Sequence, residues 1–267
     1  MVFSEVLSYF LALFVGISLG LIGSGGSILS VPIFVYVLHI EPVLATAYSL
    51  FVVGCTAFVG GIQKANQHLV DFKKVFLFGV PTVLAVFLTR LFLMPKIPNT
   101  INLTTSYSIS KSILILVVFG LVMIFASLKM IRPIAATNLA DTKAFQYPKI
   151  IGIALLIGTL AGFVGAGGGF LIIPALLFLA NTPMKTAIGT SLFIVATQSL
   201  LGFLGDYNSF ALLDWSILLK FTTSSVVGLF IGNKISKRVN ANNLKTSFGY
   251  FVLFTGICIV VKELVLR

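Results

Sequence analysis

Between Glu5 and Glu41 the chain runs for 35 residues without an Asp, Glu, Lys or Arg, and between Lys149 and Lys185 it does so again for 35. About 20 apolar residues are enough for a helix to cross ~30 Å of hydrocarbon, so each run is too long for one helix. Glycines divide both near the middle, at Gly23-Ser24-Gly25-Gly26-Ser27 and at Gly165-Ala166-Gly167-Gly168-Gly169. The apolar pieces that follow, 28–40 and 170–180, are too short to span alone and read as half-helices or re-entrant segments. Irregular backbone at membrane depth survives only where protein buries it or where it lines a cavity. Water is not an available solvent for this chain. Hydrophobic residues make up 58% of it and charged ones 9%, against roughly 45–50% and about 25% in soluble domains.

The two runs belong to an internal repeat. A shift of 142 places Gly16, Gly20, Gly23, Gly25, Gly26, Leu29 and Pro32 on Gly158, Gly162, Gly165, Gly167, Gly168, Leu171 and Pro174. The same register puts Ala45, Ser49, Leu50, Phe51, Val53 and Gly60 on Ala187, Ser191, Leu192, Phe193, Val195 and Gly202, and one residue of slippage then aligns Asp71 with Asp214. Further uncharged stretches supply about three more spans per half. The expected fold is an all-α polytopic membrane protein of two inverted repeats, 1–131 and 149–267, each with a glycine-broken helix pair. A basic cytoplasmic linker, 132–148, joins them.

The net charge of +11 reflects scarce acids, 7 against 18 bases. The cations are scattered between apolar runs, where they set orientation, rather than clustered as a nucleic-acid surface requires. If each broken run enters and returns, twelve cations fall on one side and five on the other, with Lys220 inside a span. Counting each run as one crossing balances them at nine and eight. The positive-inside rule favours the first arrangement, both termini outside, in the cell's plasma (inner) membrane. With Glu5 and no basic n-region, the first apolar segment is expected to stay uncleaved. Cys55 and Cys258 read as small buried hydrophobes, and no His/Cys spacing suggests a metal.

The pattern G-x-x-x-G-x-x-G-x-G-G-x-x-x-x-x-P occurs at Gly16 to Pro32 and again at Gly158 to Pro174, each followed by Ala-x-x-x-Ser-Leu. With the basic linker, this resembles the TauE/SafE family of membrane transporters, the sulfite exporter group, over nearly the whole chain. The resemblance implies permease activity on small sulfur-containing anions such as sulfite, thiosulfate or organosulfonates, with no enzyme activity and no cofactor.

Physical chemistry points the same way. Glycine lets backbone approach a ligand, and the free N–H groups at a half-helix start attract anions. The candidate substrate-binding residues are therefore Gly23, Ser24, Gly25, Gly26 and Ser27 in the first break and Gly165, Gly167, Gly168 and Gly169 in the second. Ser49, Thr190, Ser191 and Gln198 on the long helices that follow join them as donors. Pro32 and Pro174 are assigned as helix-break residues in the first turn of each half-helix. Gly16, Gly20, Gly158 and Gly162 fit helix packing. Asp71 and Asp214 read as N-caps, and Arg90 as a snorkelling interface cation.

No acid lies deep in a span, which argues against a carboxylate relay. Export down the potential needs no coupling ion, so the expected mechanism is alternating exposure of a midplane site. The alternatives are an anion channel or an ion-coupled importer of the same substrates; an intramembrane enzyme lacks a nucleophile–base pair.

Overall fold

The computed structural model describes residues 2–98, 100–104, 107–131, 147–165, 167–178, 180, 182–236 and 241–265; most of the 132–148 linker lies outside them. In chain order the helices are α1 (Val2–Ile22), α2 (Ser30–Tyr36), α3 (Pro42–Ala65), α4 (Phe72–Leu88), α5 (Met94–Lys96), α6 (Lys111–Ile131), α7 (Tyr147–Val164), α8 (Gly169–Phe178), α9 (Met184–Gly205), α10 (Trp215–Ser236) and α11 (Ala241–Leu264). Helix α3 and α9 begin at the same point of the repeat, and three long helices follow the broken pair in each half. One hairpin, β1 (Thr100–Thr104) with β2 (Tyr107–Ser110), interrupts the all-helical pattern outside the spans. Among the described residues, five helices are long and apolar enough to cross a membrane.

The outer faces confirm the solvent. Along α4 and the helical turn that continues it, Phe76, Val80, Leu84, Leu88 and Phe92 recur every four residues and are about half or more exposed. Such a stripe faces one direction on a helix and would be a large apolar patch in water. Helix α11 presents Phe251, Phe254, Val261 and Cys258 outward in the same way, so Cys258 is exposed rather than buried; Cys55 is half-buried. The interior, conversely, carries hydroxyls and amides. The chain is a multi-pass integral membrane protein.

Helices pair across the halves. Helix α1 packs along α10, α7 along α4, α3 against α9, and α6 against α11. The first two pairs are repeat counterparts, and glycine makes both possible. A Cβ on Gly16 would strike the Ser225 carbonyl and one on Gly20 the Leu229 carbonyl; Gly158 meets Thr82, and Gly162 meets Thr89 and Val86 in the same way. These four glycines are packing residues.

Contacts sort into two ends. At one, Ser112 bonds Glu41, Tyr36 bonds Glu263, Arg90 pairs with Asp206, and the Asp214 amide donates to the Tyr48 hydroxyl. At the other, Lys74 bonds Thr182, the Asp71 amide donates to Thr190, and Asn233 donates to Gln63. Asp71 and Asp214 cap their helices, accepting from Lys74 and from Ser216 and Ile217 respectively.

Candidate functional site

The two breaks share a backbone device. Gly23 and Gly165, repeat counterparts, both sit at φ +73°, and Gly167 and Gly168 follow at +67° and +59°. A side chain in this left-handed region costs roughly 1–2 kcal/mol, so glycine is required on backbone grounds alone. The surroundings add a second reason. A Cβ on Gly23 would lie 2.9 Å from Ile188 Cγ2, and one on Gly165 would overlap Thr46 Cβ. Ile188 and Thr46 are themselves counterparts, so each break seats on the long helix of the opposite half.

After these turns the copies diverge. From Gly23 the chain runs in a 3-10 conformation to Leu29, through Gly25, before α2 begins, and Pro32 falls in the first turn of α2. In the second copy the three left-handed glycines complete the turn sooner and α8 starts at Gly169. Pro174, expected in a first turn, is instead the sixth residue of α8, inside the helix. The shared register was right, but the longer glycine run moves the helix start forward by a turn.

The breaks touch one another. Ser24 Oγ donates to the Gly169 carbonyl at 2.9 Å, and a Cβ on Gly169 would collide with the Ser24 Cβ and carbonyl oxygen. Gly26 packs against Ser18, whose hydroxyl reaches the Gly26 carbonyl at 3.3 Å. Ser27 and Ser30 donate to the carbonyls of Ser24 and Ser27, and Ser30 shares a hydrogen bond with Ser49. Ser191 bonds back to the Ile188 carbonyl. Thr190 is not at the breaks' contact: its hydroxyl accepts the Asp71 amide, holding the start of α4.

Gln198 is at the break. Its amide nitrogen donates to the Gly167 carbonyl while Oε1 has no partner. Ser199 Oγ, 2.7 Å from where a Gly167 side chain would begin, is also unpartnered, as is the hydroxyl of Thr56, the repeat counterpart of Gln198. Gly60 lies beside Leu192 and Gly54 beside Leu200, which brings Thr56 level with Gln198 where α3 and α9 cross. All three side chains are fully buried. A buried polar atom without a partner costs about 1–3 kcal/mol, and two of these three, on Gln198 and Ser199, adjoin the second break. Ser199 was not among the residues expected from sequence; a serine in a membrane helix carries no signal until its neighbour is known.

Arg90 was misplaced by the sequence reading. It does not snorkel: its side chain is 1% exposed, on a π-helical turn, Thr89–Leu93, that continues α4. Nη1 donates to Asp206 Oδ2 at 2.7 Å and to Thr46 Oγ1 at 2.9 Å. Burial raises the Asp206 carboxyl above its ordinary range, and Arg90 and Lys111 pull it back. In sequence Asp206 marks only the end of a span, and nothing there indicates that it faces a residue 116 positions away. A separate cleft of about 470 Å³, lined by Tyr36, His39, Glu41, Ser112, Lys262 and Glu263 among others, includes no glycine of either break. No group of three potential metal ligands occurs among the described residues.

Comparison with known proteins gives a consistent answer. The family profile described as Sulfite exporter TauE/SafE matches residues 8–259. A probable membrane transporter protein of Xylella fastidiosa (strain 9a5c) is 32% identical over 252 residues, 92% of this chain and 91% of its own length. The probable membrane transporter proteins YunE and YjnA of Bacillus subtilis (strain 168) are 28% and 24% identical, covering 89% and 94% of this chain and 89% and 97% of their own lengths. No solved structure matches significantly.

Proposed function

This chain belongs to the TauE/SafE sulfite exporter family of membrane transporters, and we propose that it exports small sulfur-containing oxyanions by alternating exposure of a site between the paired glycine breaks. The observation that carries this reading is the meeting of the two breaks, Ser24 on Gly169, beside the buried unpartnered oxygens of Gln198, Ser199 and Thr56. Family membership supports the sulfur chemistry, and the polar groups gathered where the two halves cross support a small site between them. Backbone N–H groups and hydroxyls, rather than a cofactor, would bind the anion. With the interior negative, each exported charge gains ~2.3 kcal/mol per 100 mV, enough to drive efflux without a coupling ion.

In this reading the halves, 1–131 and 149–267, lie in opposite orientation on either side of the 132–148 linker. Two sets of contacts support it. Helix α1 advances along α10 toward Asn233 and α2 returns to Tyr36, at the Glu263 end. Helix α7 advances along α4 toward Thr89, and after α8 the chain reaches Thr182, at the Lys74 end. The first pair would thus open to one side and the second to the other.

The test is efflux from proteoliposomes preloaded with sulfite under a valinomycin-set potassium potential, with sulfate and taurine as competitors. Saturable, potential-dependent efflux that is lost in Gly167→Val is expected. No flux of any of these anions from folded protein would overturn the reading; currents far above carrier rates would replace it with a channel.

A further inference from the structure

We infer that Arg90 is the charged recognition residue for the transported anion, offering the Nε–Nη2 edge of its guanidinium to one oxyanion group at the second break. The inference rests on the preceding reading for the existence of transport, but its ligand chemistry comes from the side chain itself.

Arg90 is fully buried, yet only one of its three nitrogens has a partner. Nη1 takes both Asp206 and Thr46, while Nε and Nη2 have none. Those two N–H groups point in parallel from one edge of the planar fork, the geometry that receives two oxygens of a carboxylate, sulfonate or phosphate. Here Asp206 and Thr46 hold the guanidinium from the Nη1 corner and leave the two-pronged edge without a hydrogen bond. That edge packs against the break: Nη2 lies 2.5 Å from where a Gly165 Cβ would begin, at a residue whose φ already demands glycine. Arg90 also stands on a π-helical turn, a distortion common at functional sites because it re-aims one side chain.

The other half shows what the position looks like without a charge. Asn233 aligns with Arg90 and donates to Gln63 at the opposite end of the molecule, also buried. The protein therefore has a neutral amide pair at the equivalent position of the other half. A single guanidinium fits a substrate with one oxyanion group.

Binding of sulfite and of methanesulfonate to purified protein in nanodiscs, followed by isothermal titration, tests this independently of transport. Arg90→Lys keeps the charge and loses the two-pronged edge. The double variant R90N/D206Q copies the neutral pair of the other half and removes both buried charges together, so it is expected to fold. Both should weaken binding at least tenfold, whereas Asp206→Asn, which frees the guanidinium, should keep or tighten it. Unchanged affinity in folded R90N/D206Q, or no binding of either oxyanion to wild type, overturns the inference. Binding without flux in proteoliposomes would instead count against the transport reading and leave the Arg90 site standing.

Discussion

Replacing Gly169 with alanine adds one methyl group at the contact between the two breaks. Gly169 is not in the left-handed region, so backbone strain does not enter and the effect is purely one of packing. The new Cβ would fall within overlap distance of Ser24 Cβ, carbonyl carbon and oxygen. None of these is the movable tip of a long side chain, so the 3-10 run or α8 must shift. Overpacking of this kind costs about 1–3 kcal/mol, and losing the Ser24–Gly169 hydrogen bond adds about 1. At roughly 2–4 °C per kcal/mol for a chain near this size, the thermal midpoint should drop by about 5–15 °C. Thermal unfolding in nanodiscs, followed by circular dichroism, measures it. Ser24→Gly removes one of the colliding atoms, so the double variant S24G/G169A should recover part of the loss, with coupling of at least about 1 kcal/mol. A midpoint within 1 °C of wild type for Gly169→Ala, or additive effects in the double variant, would mean that the breaks do not rest on each other.

Gly152 provides the opposite case, with nothing within 4 Å of its missing Cβ; Gly152→Ala in α7 should raise stability by about 0.5–1 kcal/mol and leave flux unchanged, which the same unfolding and efflux assays check. Thr190→Val leaves the Asp71 amide without its acceptor and should lower stability by about 1–3 kcal/mol, read as a midpoint drop with the anion dependence of flux unaltered. Arg90→Ala strands Asp206 and should cost about 3–5 kcal/mol, and adding Asp206→Asn should restore most of it, as measured by yield of folded protein and thermal midpoint. Single cysteines placed at Glu41 and Lys111 should react with a membrane-impermeant maleimide from one side of the bilayer, and those at Lys73 and Lys185 from the other; labelling of all four from one side would sink the opposed-repeat topology.

The two breaks of the candidate site were legible because glycine leaves a strong local trace. The doubled glycine pattern located both breaks, and the 142-residue register anticipated that Gly23 and Gly165 would do the same thing; both sit at φ +73°. Asp71 and Asp214 were readable as caps because capping is a local interaction. Pro174 was misread because equal register does not impose equal helix starts: one additional glycine replaces Ser27 at Gly169 and the helix begins earlier. Gln198 was selected from sequence, but not Ser199 beside it, since which hydroxyl faces a break depends on how α9 is rotated against α3.

The sequence by itself determined the solvent, the broken pair in each half and the long apolar helices that follow it. These follow from hydropathy, helix length and φ, which are properties of a residue and its near neighbours. Only the tertiary structure decided partners: α1 on α10 and α7 on α4, Ser24 on Gly169, Arg90 on Asp206 across 116 positions. In a membrane interior every apolar face is equally content with lipid, so hydrophobicity cannot choose among helices. Close fit at glycines and the pairing of a few buried polar groups make that choice, and both are set by contacts distant in the chain.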